Sequence, residues 1–266
     1  MGALALGPLA VLVHGLAADR LADLREAASV LVPDYFQEPS AKLTVELFFG
    51  EESTSWTVSK SAWTARFAED VSLHAVSRVL ASISANFAGT QGALAFHAVA
   101  VEGRDSYATV IVGPELSGKT SALLHLMKTR TALATNVCYL SSDEATLLAG
   151  TRTITRRDFR KSFALEKSTE IELPQRNVKV RRLLHLMPSG TSLMVVPCRD
   201  PFLLFNAASI IPGWATLMGP QSAFQWTPSE RELVERGRST HHLLNSIEQF
   251  QVTGAADEVA NWIAGT

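Results

Sequence analysis

Cysteine is scarce in this chain: Cys138 and Cys198 are the only two in 266 residues. Each lies in an apolar stretch, which argues against a disulfide framework or a zinc site and fits buried thiols in a reducing compartment. Charge of one sign is also lacking. The 24 Lys and Arg against 26 Asp and Glu leave a formal net charge of −2, so the overall balance offers no electrostatic grip on nucleic acid or an anionic membrane. No window reaches the ~18 uninterrupted apolar residues of a membrane-spanning helix. The apolar start, residues 1–16, has no basic segment of the kind that opens a secretory signal and contains Gly7, Pro8 and His14, so it reads as a strand. There is no N-K-x-D guanine signature, no LSGGQ-like sequence, no internal repeat and no low-complexity tract. A GTPase switch and an ABC-type ATPase are thereby disfavoured. What remains is a protein expected in the cytoplasm, without a nucleic-acid or membrane partner and with self-association left open. Its 47% of apolar residues suffice for a substantial core.

Periodicity then predicts the elements. Leu21, Leu24, Ala28 and Leu31 recur at helical spacing over residues 18–31, and Val76, Val79, Leu80, Ile83 and Phe87 do so over 69–87. Residues 43–49 and 56–58 alternate around a polar turn and read as a hairpin. Strands are expected over residues 94–101 and 107–112, a helix over 118–128, and strands over 136–140 and 145–148, an α/β organisation. Further strands are expected at 192–197 and 202–205. Thr227, Pro228, Ser229 and Glu230 form a capping signal for a helix ending at Gly237; Ser239 opens another, and a last helix holds Val259, Trp262 and Ile263. The tryptophans read as packing residues and the pair His241 and His242 as surface.

The chemistry lies in Gly113, Pro114, Glu115, Leu116, Ser117, Gly118, Lys119 and Thr120, which satisfy G-x-x-x-x-G-K-[ST]. A loop of this length can aim successive backbone N–H groups at a polyphosphate, and the helix that follows adds a favourable dipole. Lys119 would reach the β- and γ-phosphates, Thr120 would offer its hydroxyl to magnesium, and Ser121 continues the cradle. The predicted strand before the loop and helix after it are the context that the motif requires. Asp143, after the next strand, could hold magnesium through water or accept a proton from an attacking hydroxyl. It could equally be a plain turn residue. Glu144 beside it is a second acid. His97 stands among Phe96 and Ala98, where a histidine is more often a satisfied core residue. The basic run Arg152, Arg156, Arg157, Arg160 and Lys161 is either a clamp for transferred phosphate or a solvated loop, with Arg160 and Lys161 as the testable pair.

The strand over 94–101, the loop over 113–120 and the run from Tyr139 to Leu148 together resemble the HPr kinase/phosphorylase-related family over about residues 91–150. The resemblance implies a P-loop core with a mixed sheet similar to that of phosphoenolpyruvate carboxykinase, residues 91–266, preceded by an N-terminal α+β subdomain, residues 1–90. It implies ATP and Mg2+ as cofactors. Asp143 would be the general base with Glu144 as second acid, His97 the histidine near the phosphate site, Lys119 the phosphate ligand, and Thr120 and Asp143 the magnesium ligands. The family loop carries an additional glycine, as G-x-S-G-x-G-K-[ST], where this chain has Glu115 and Leu116. No match to the HPr-binding stretch follows residue 150. The expected activity is therefore a kinase acting on a hydroxyl of a peptide, protein or small-molecule acceptor other than HPr, and the alternative is a nucleotide-gated binding module.

Overall fold

The structure, a computed structural model, describes residues 2–39, 41–51, 55–58, 62–157, 165–187, 192–217 and 230–265. The opening stretch is a hairpin rather than one strand. β1 (Gly2–Leu6) and β2 (Leu9–His14) pair antiparallel about Gly7, whose φ of +54° suits glycine. α1 (Ala18–Ser29) follows and buries Leu24 and Ala28, as its periodicity predicts. The two-residue β3 (Asp34–Tyr35) leads to β4 (Leu43–Glu51), β5 (Ser55–Val58) and β6 (Ala62–Ala68). These strands form a five-stranded sheet in the order β1-β2-β4-β6-β5. The hairpin expected between residues 43–49 and 56–58 is therefore not a paired one. β6 lies between β4 and β5, parallel to the former and antiparallel to the latter. At seven residues β6 offers β4 a longer ladder than four-residue β5 can, and it brings Trp63, Ala65 and Phe67 into the layer of Val45, Leu47 and Phe49. α2 (Leu73–Thr90) packs its stripe of Val76, Val79, Leu80 and Ile83 into the same core.

The second sheet is built from β7 (Ala93–Glu102), β8 (Ala108–Val112), β9 (Ala132–Ala134), β10 (Val137–Ser141) and β11 (Thr146–Gly150), with α3 (Lys119–Leu126) between β8 and β9. β12 (Thr153–Arg157) and β13 (Leu165–Glu170) make a separate two-stranded ribbon. β14 (Val178–Leu186) returns to the main sheet, followed by β15 (Met194–Pro197), α4 (Pro201–Ser209), a 3₁₀ turn (Pro212–Leu217), α5 (Glu230–Ser246), β16 (Glu248–Thr253) and α6 (Ala256–Gly265). Nine strands run in the order β15-β16-β14-β8-β7-β10-β11-β3, with β9 also on β7. β8, β14 and β16 are mutually parallel and β7 antiparallel, so the sheet is mixed and the class is α/β. On one face Ile111, Leu184 and Val252 meet Leu123 of α3 and Val259 and Ile263 of α6. On the other, Phe96, Val110 and Leu183 meet Leu204 of α4 and Leu243 of α5.

Two expectations change here. Residues 202–205 are helical because Asp200 accepts from the N–H groups of Phe202 and Leu203 and Pro201 occupies the first helical position, a cap contributing about 1 kcal/mol. α5 runs through Gly237 without a break at Ser239. An isolated helical glycine costs about 1 kcal/mol, which burial of Thr240, Leu243 and Leu244 in the next turns offsets. Residues 227–229 of its expected cap lie outside the described residues. The boundary at residue 90 divides two sheets but not two cores. One apolar cluster joins Val45 and Leu80 to Ala95, Tyr139, Ile211 and Trp214, and β3 from the N-terminal part forms an edge of the large sheet against β11. No helix among the described residues is long and apolar enough to cross a membrane.

Candidate functional site

β8 ends at Val112 between two neighbours, Ala98 of antiparallel β7 and His185 of parallel β14. Such carboxyl ends of parallel strands are where α/β sheets leave a crevice. Residues 113–118 cross that crevice into α3, whose cap Gly118 has φ +96°. Leu116 is also left-handed, with φ +66° and 76% of its surface exposed. This conformation costs a residue with a Cβ about 1–2 kcal/mol, and it falls at the position where the family pattern places its additional glycine. Gly113 is needed for space: a Cβ there would stand 2.5 Å from the Leu186 carbonyl oxygen and 2.8 Å from Ser117 Oγ. Ser117 Oγ is itself buried without a hydrogen-bond partner, a polar atom left for a ligand to satisfy.

Lys119 is folded into the loop rather than out to water. Its Nζ donates to the carbonyl oxygens of Gly113 (2.7 Å) and Pro114 (2.8 Å). Only 6% of the residue is exposed, and burial pushes the ammonium down to about 8, partly offset by the charge of Glu115. Thr120 is half-buried and Ser121 exposed in the first turn of α3. The loop thus gathers a buried cation, hydroxyls and the first amides of a helix, a set that could receive an anion, and Thr120 is the side chain that could offer a hydroxyl to a metal ion there.

The acids leave the sheet on the same side as this loop, on the far side of β7. β10 runs antiparallel to β7 from Val137 opposite His97 to Ser141 opposite Ala93, in the same direction as β8, and carries on past the level at which Val112 faces Ala98. Those four steps amount to roughly 13 Å along the strand. Asp143 and Glu144 then lie in the turn between β10 and β11, which the pair Ser141 and Thr146 closes. Asp143 is exposed and takes a hydrogen bond from Ser142 Oγ at 3.2 Å. Glu144 is exposed too, and Lys179 Nζ lies 3.4 Å from its carboxylate. Asp143 and Glu144 thus occupy the turn after the carboxyl end of a strand parallel to β8, with partners in that turn and in β14.

At the level of Val112 stands Asn136, in the two-residue break between β9 and β10. Its carbonyl accepts from the Ala98 N–H, and Ala98 pairs with Val112 on its other side. Asn136 and the start of the loop are thus two strand spacings apart, about 10 Å. Thr135 and Thr151 lock the break: Thr151 Oγ1 accepts from the N–H groups of both Asn136 and Val137. The Asn136 side chain donates Nδ2 to the Val30 carbonyl at 3.1 Å, which leaves Oδ1 to accept from His97 Nε2 at 3.0 Å. This assigns the His97 proton to Nε2. Edge-on to His97, with centroids 5.7 Å apart, lies buried Trp214, and the Arg78 guanidinium sits over that indole at 5.4 Å. Arg78 Nη2 in turn reaches Glu115 Oε1 in the loop at 3.4 Å. The side chains of that pair are 29% and 60% exposed, so in water it is worth under about 1 kcal/mol. Asn136 and Arg78 carry no motif signal: the first reads as the start of a strand and the second as one cation on an amphipathic helix.

Of the basic run, Arg152 is placed 3.3 Å from Asp34, Arg156 and Arg157 belong to β12, and Arg160 and Lys161 lie outside the described residues. Cys138 is buried and Cys198 half-buried, both free thiols. A cleft lined by Asn86, Ala95, Pro212, Glu232 and Arg236 opens beside the start of β7, and its lining does not include the loop. No family model matches this chain, and no curated protein matches it.

Proposed function

We propose that this chain binds a nucleoside triphosphate with magnesium at residues 113–120 and transfers its terminal phosphate to a hydroxyl of a peptide, protein or small-molecule acceptor. The observation that carries the nucleotide reading is the loop itself: strand, left-handed Leu116 and Gly118, buried Lys119 on two loop carbonyls, and an unsatisfied Ser117 hydroxyl. The mixed α/β sheet supports it, and so does the resemblance of residues 91–150 to the HPr kinase/phosphorylase-related family with its core similar to phosphoenolpyruvate carboxykinase. Phosphoryl transfer through a loose transition state is mostly positioning and charge neutralisation, so Lys119 and the loop amides would supply most of the catalysis. Asp143 and Glu144, after the carboxyl end of β10, and His97 and Asn136, at the level of Val112, are the side chains that would meet an acceptor.

A second reading, a nucleotide-gated binding module with little chemistry, is favoured by the exposure of both acids and their partners in Ser142 and Lys179. Mg-ATP calorimetry on the wild type and Lys119→Ala tests the shared premise. The expected result is binding lost by at least about 100-fold in a variant that melts normally, since Lys119 is the cation meant for the phosphates. Equal binding by the two proteins would sink the assignment. ATP consumption that rises with an added hydroxyl acceptor separates the kinase from the binding module.

A further inference from the structure

Two cations converge on one carboxylate at the mouth of the loop. Glu115 follows directly on Gly113 and Pro114, the two residues whose carbonyls hold Lys119 Nζ. Its carboxylate acts on the Lys119 ammonium by charge from one side, and Arg78 approaches it to 3.4 Å from the other. A loop built to receive an anion thus already has one, supplied by its own third residue.

We propose that Arg78 is a phosphate-binding residue of this site, held by Glu115 in the nucleotide-free loop and passed to the terminal phosphate when a triphosphate binds. The inference rests on the nucleotide reading above. An arriving terminal phosphate carries about two charges and three acceptor oxygens, so it repels the Glu115 carboxylate and outcompetes it for a guanidinium, which can meet phosphate through two parallel hydrogen bonds. Glu115 is 60% exposed on its side chain and can turn into water. Arg78 cannot drift as easily. It projects from an 18-residue helix and lies over the indole of Trp214, which is only 4% exposed and is backed by His97. The guanidinium is therefore pre-positioned at the loop, and only the carboxylate has to move. A diphosphate lacks the group that Arg78 would hold, so Arg78 is a residue that distinguishes triphosphate from diphosphate.

The experiment is calorimetric titration of Mg-ATP and Mg-ADP into the wild type, Arg78→Ala, Arg78→Lys and Glu115→Gln, each checked for a normal melting transition. Arg78→Ala should lose about 10- to 100-fold in ATP affinity, the range for a charge-assisted contact, and less than about 3-fold for ADP. Arg78→Lys should recover part of the ATP loss. Glu115→Gln, at an exposed side chain, should bind ATP more tightly than the wild type. Arg78→Ala that binds both nucleotides as the wild type does, or loses both equally, overturns the role of Arg78 and leaves the loop reading standing. A folded wild type that binds neither nucleotide overturns the loop reading and the Arg78 proposal with it.

Discussion

Two loops leave the carboxyl ends of β8 and β10, parallel strands on either side of β7, and both carry residues suited to phosphate chemistry. At the Val112 end, residues 113–118 are shaped for something other than themselves: Leu116 is left-handed, Gly113 is tightly enclosed, Lys119 is buried and the Ser117 hydroxyl has no partner. After Ser141, the turn over residues 141–145 also holds a left-handed residue, Ala145 at φ +48°, but its polar groups are satisfied by its own chain. Ser142 Oγ meets Gly92 O and Asp143, the Glu144 N–H lies 3.3 Å from Ser141 Oγ, and Lys179 holds Glu144. The difference teaches that residue type alone does not mark a site. A site is where enclosed charge and unmet polar groups accumulate, because a ligand has to compensate for them.

The sharpest way to break this contrast is Gly113→Ala. The added Cβ meets a backbone carbonyl oxygen at 2.5 Å, so the loop must shift. Mg-ATP affinity is expected to fall by more than about 10-fold with a stability loss of about 1–3 kcal/mol, read by calorimetry and denaturant melting. Unchanged affinity would mean that the loop shape is not what binds. Next in size is a pH effect. Below its pKa of about 8 Lys119 is charged, and above it the free protein loses that charge. Mg-ATP affinity should be flat below about pH 7 and fall by up to about tenfold per pH unit above 8, and binding near pH 9 should take up a proton that comparison of two buffers detects. Flat affinity across that range would separate Lys119 from the phosphates.

Smaller effects test the neighbouring residues. Leu116→Gly should raise stability or tighten nucleotide binding by about 1 kcal/mol, because it removes the cost of a left-handed Cβ. Asn136→Ala deprives the Val30 carbonyl and His97 Nε2 of their partners and should cost about 1–3 kcal/mol in a melt, whereas Asp143→Asn in its exposed turn should change stability and Mg-ATP binding by less than about 0.5 kcal/mol. A larger effect of Asp143→Asn on nucleotide binding would place the acid at the nucleotide.

The loop was legible because its signal is local: eight consecutive residues between a strand and a helix state their own geometry. α1, α2 and the β10–β11 turn were legible for the same reason. What local pattern cannot state is register. How far Asp143 and Asn136 lie from the level of Val112 depends on β10 pairing Val137 with His97, a contact across 40 positions. The two parallel strands beside the site were missed altogether. β14 mixes Lys179, Arg181 and Arg182 into its first half, and β16 spells Glu248, Gln249, Phe250 and Gln251, so neither shows a clean apolar run. Asp200 and Pro201 cap α4 in the structure, but the apolar run Phe202, Leu203, Leu204 and Phe205 reads as a strand.

The three parallel strands also dictate when the loop can take shape. β8, β14 and β16 lie side by side although their first residues are separated by about 70 positions each time, and the Gly113 corner rests on Leu186. Contacts this distant in sequence are slow to form, since the intervening chain must close first. On a ribosome, residues 113–120 would emerge long before Leu186 and longer still before β16. A partly made chain therefore carries the phosphate-binding spelling without the platform that opens it, and nucleotide can reward only molecules whose sheet is already assembled.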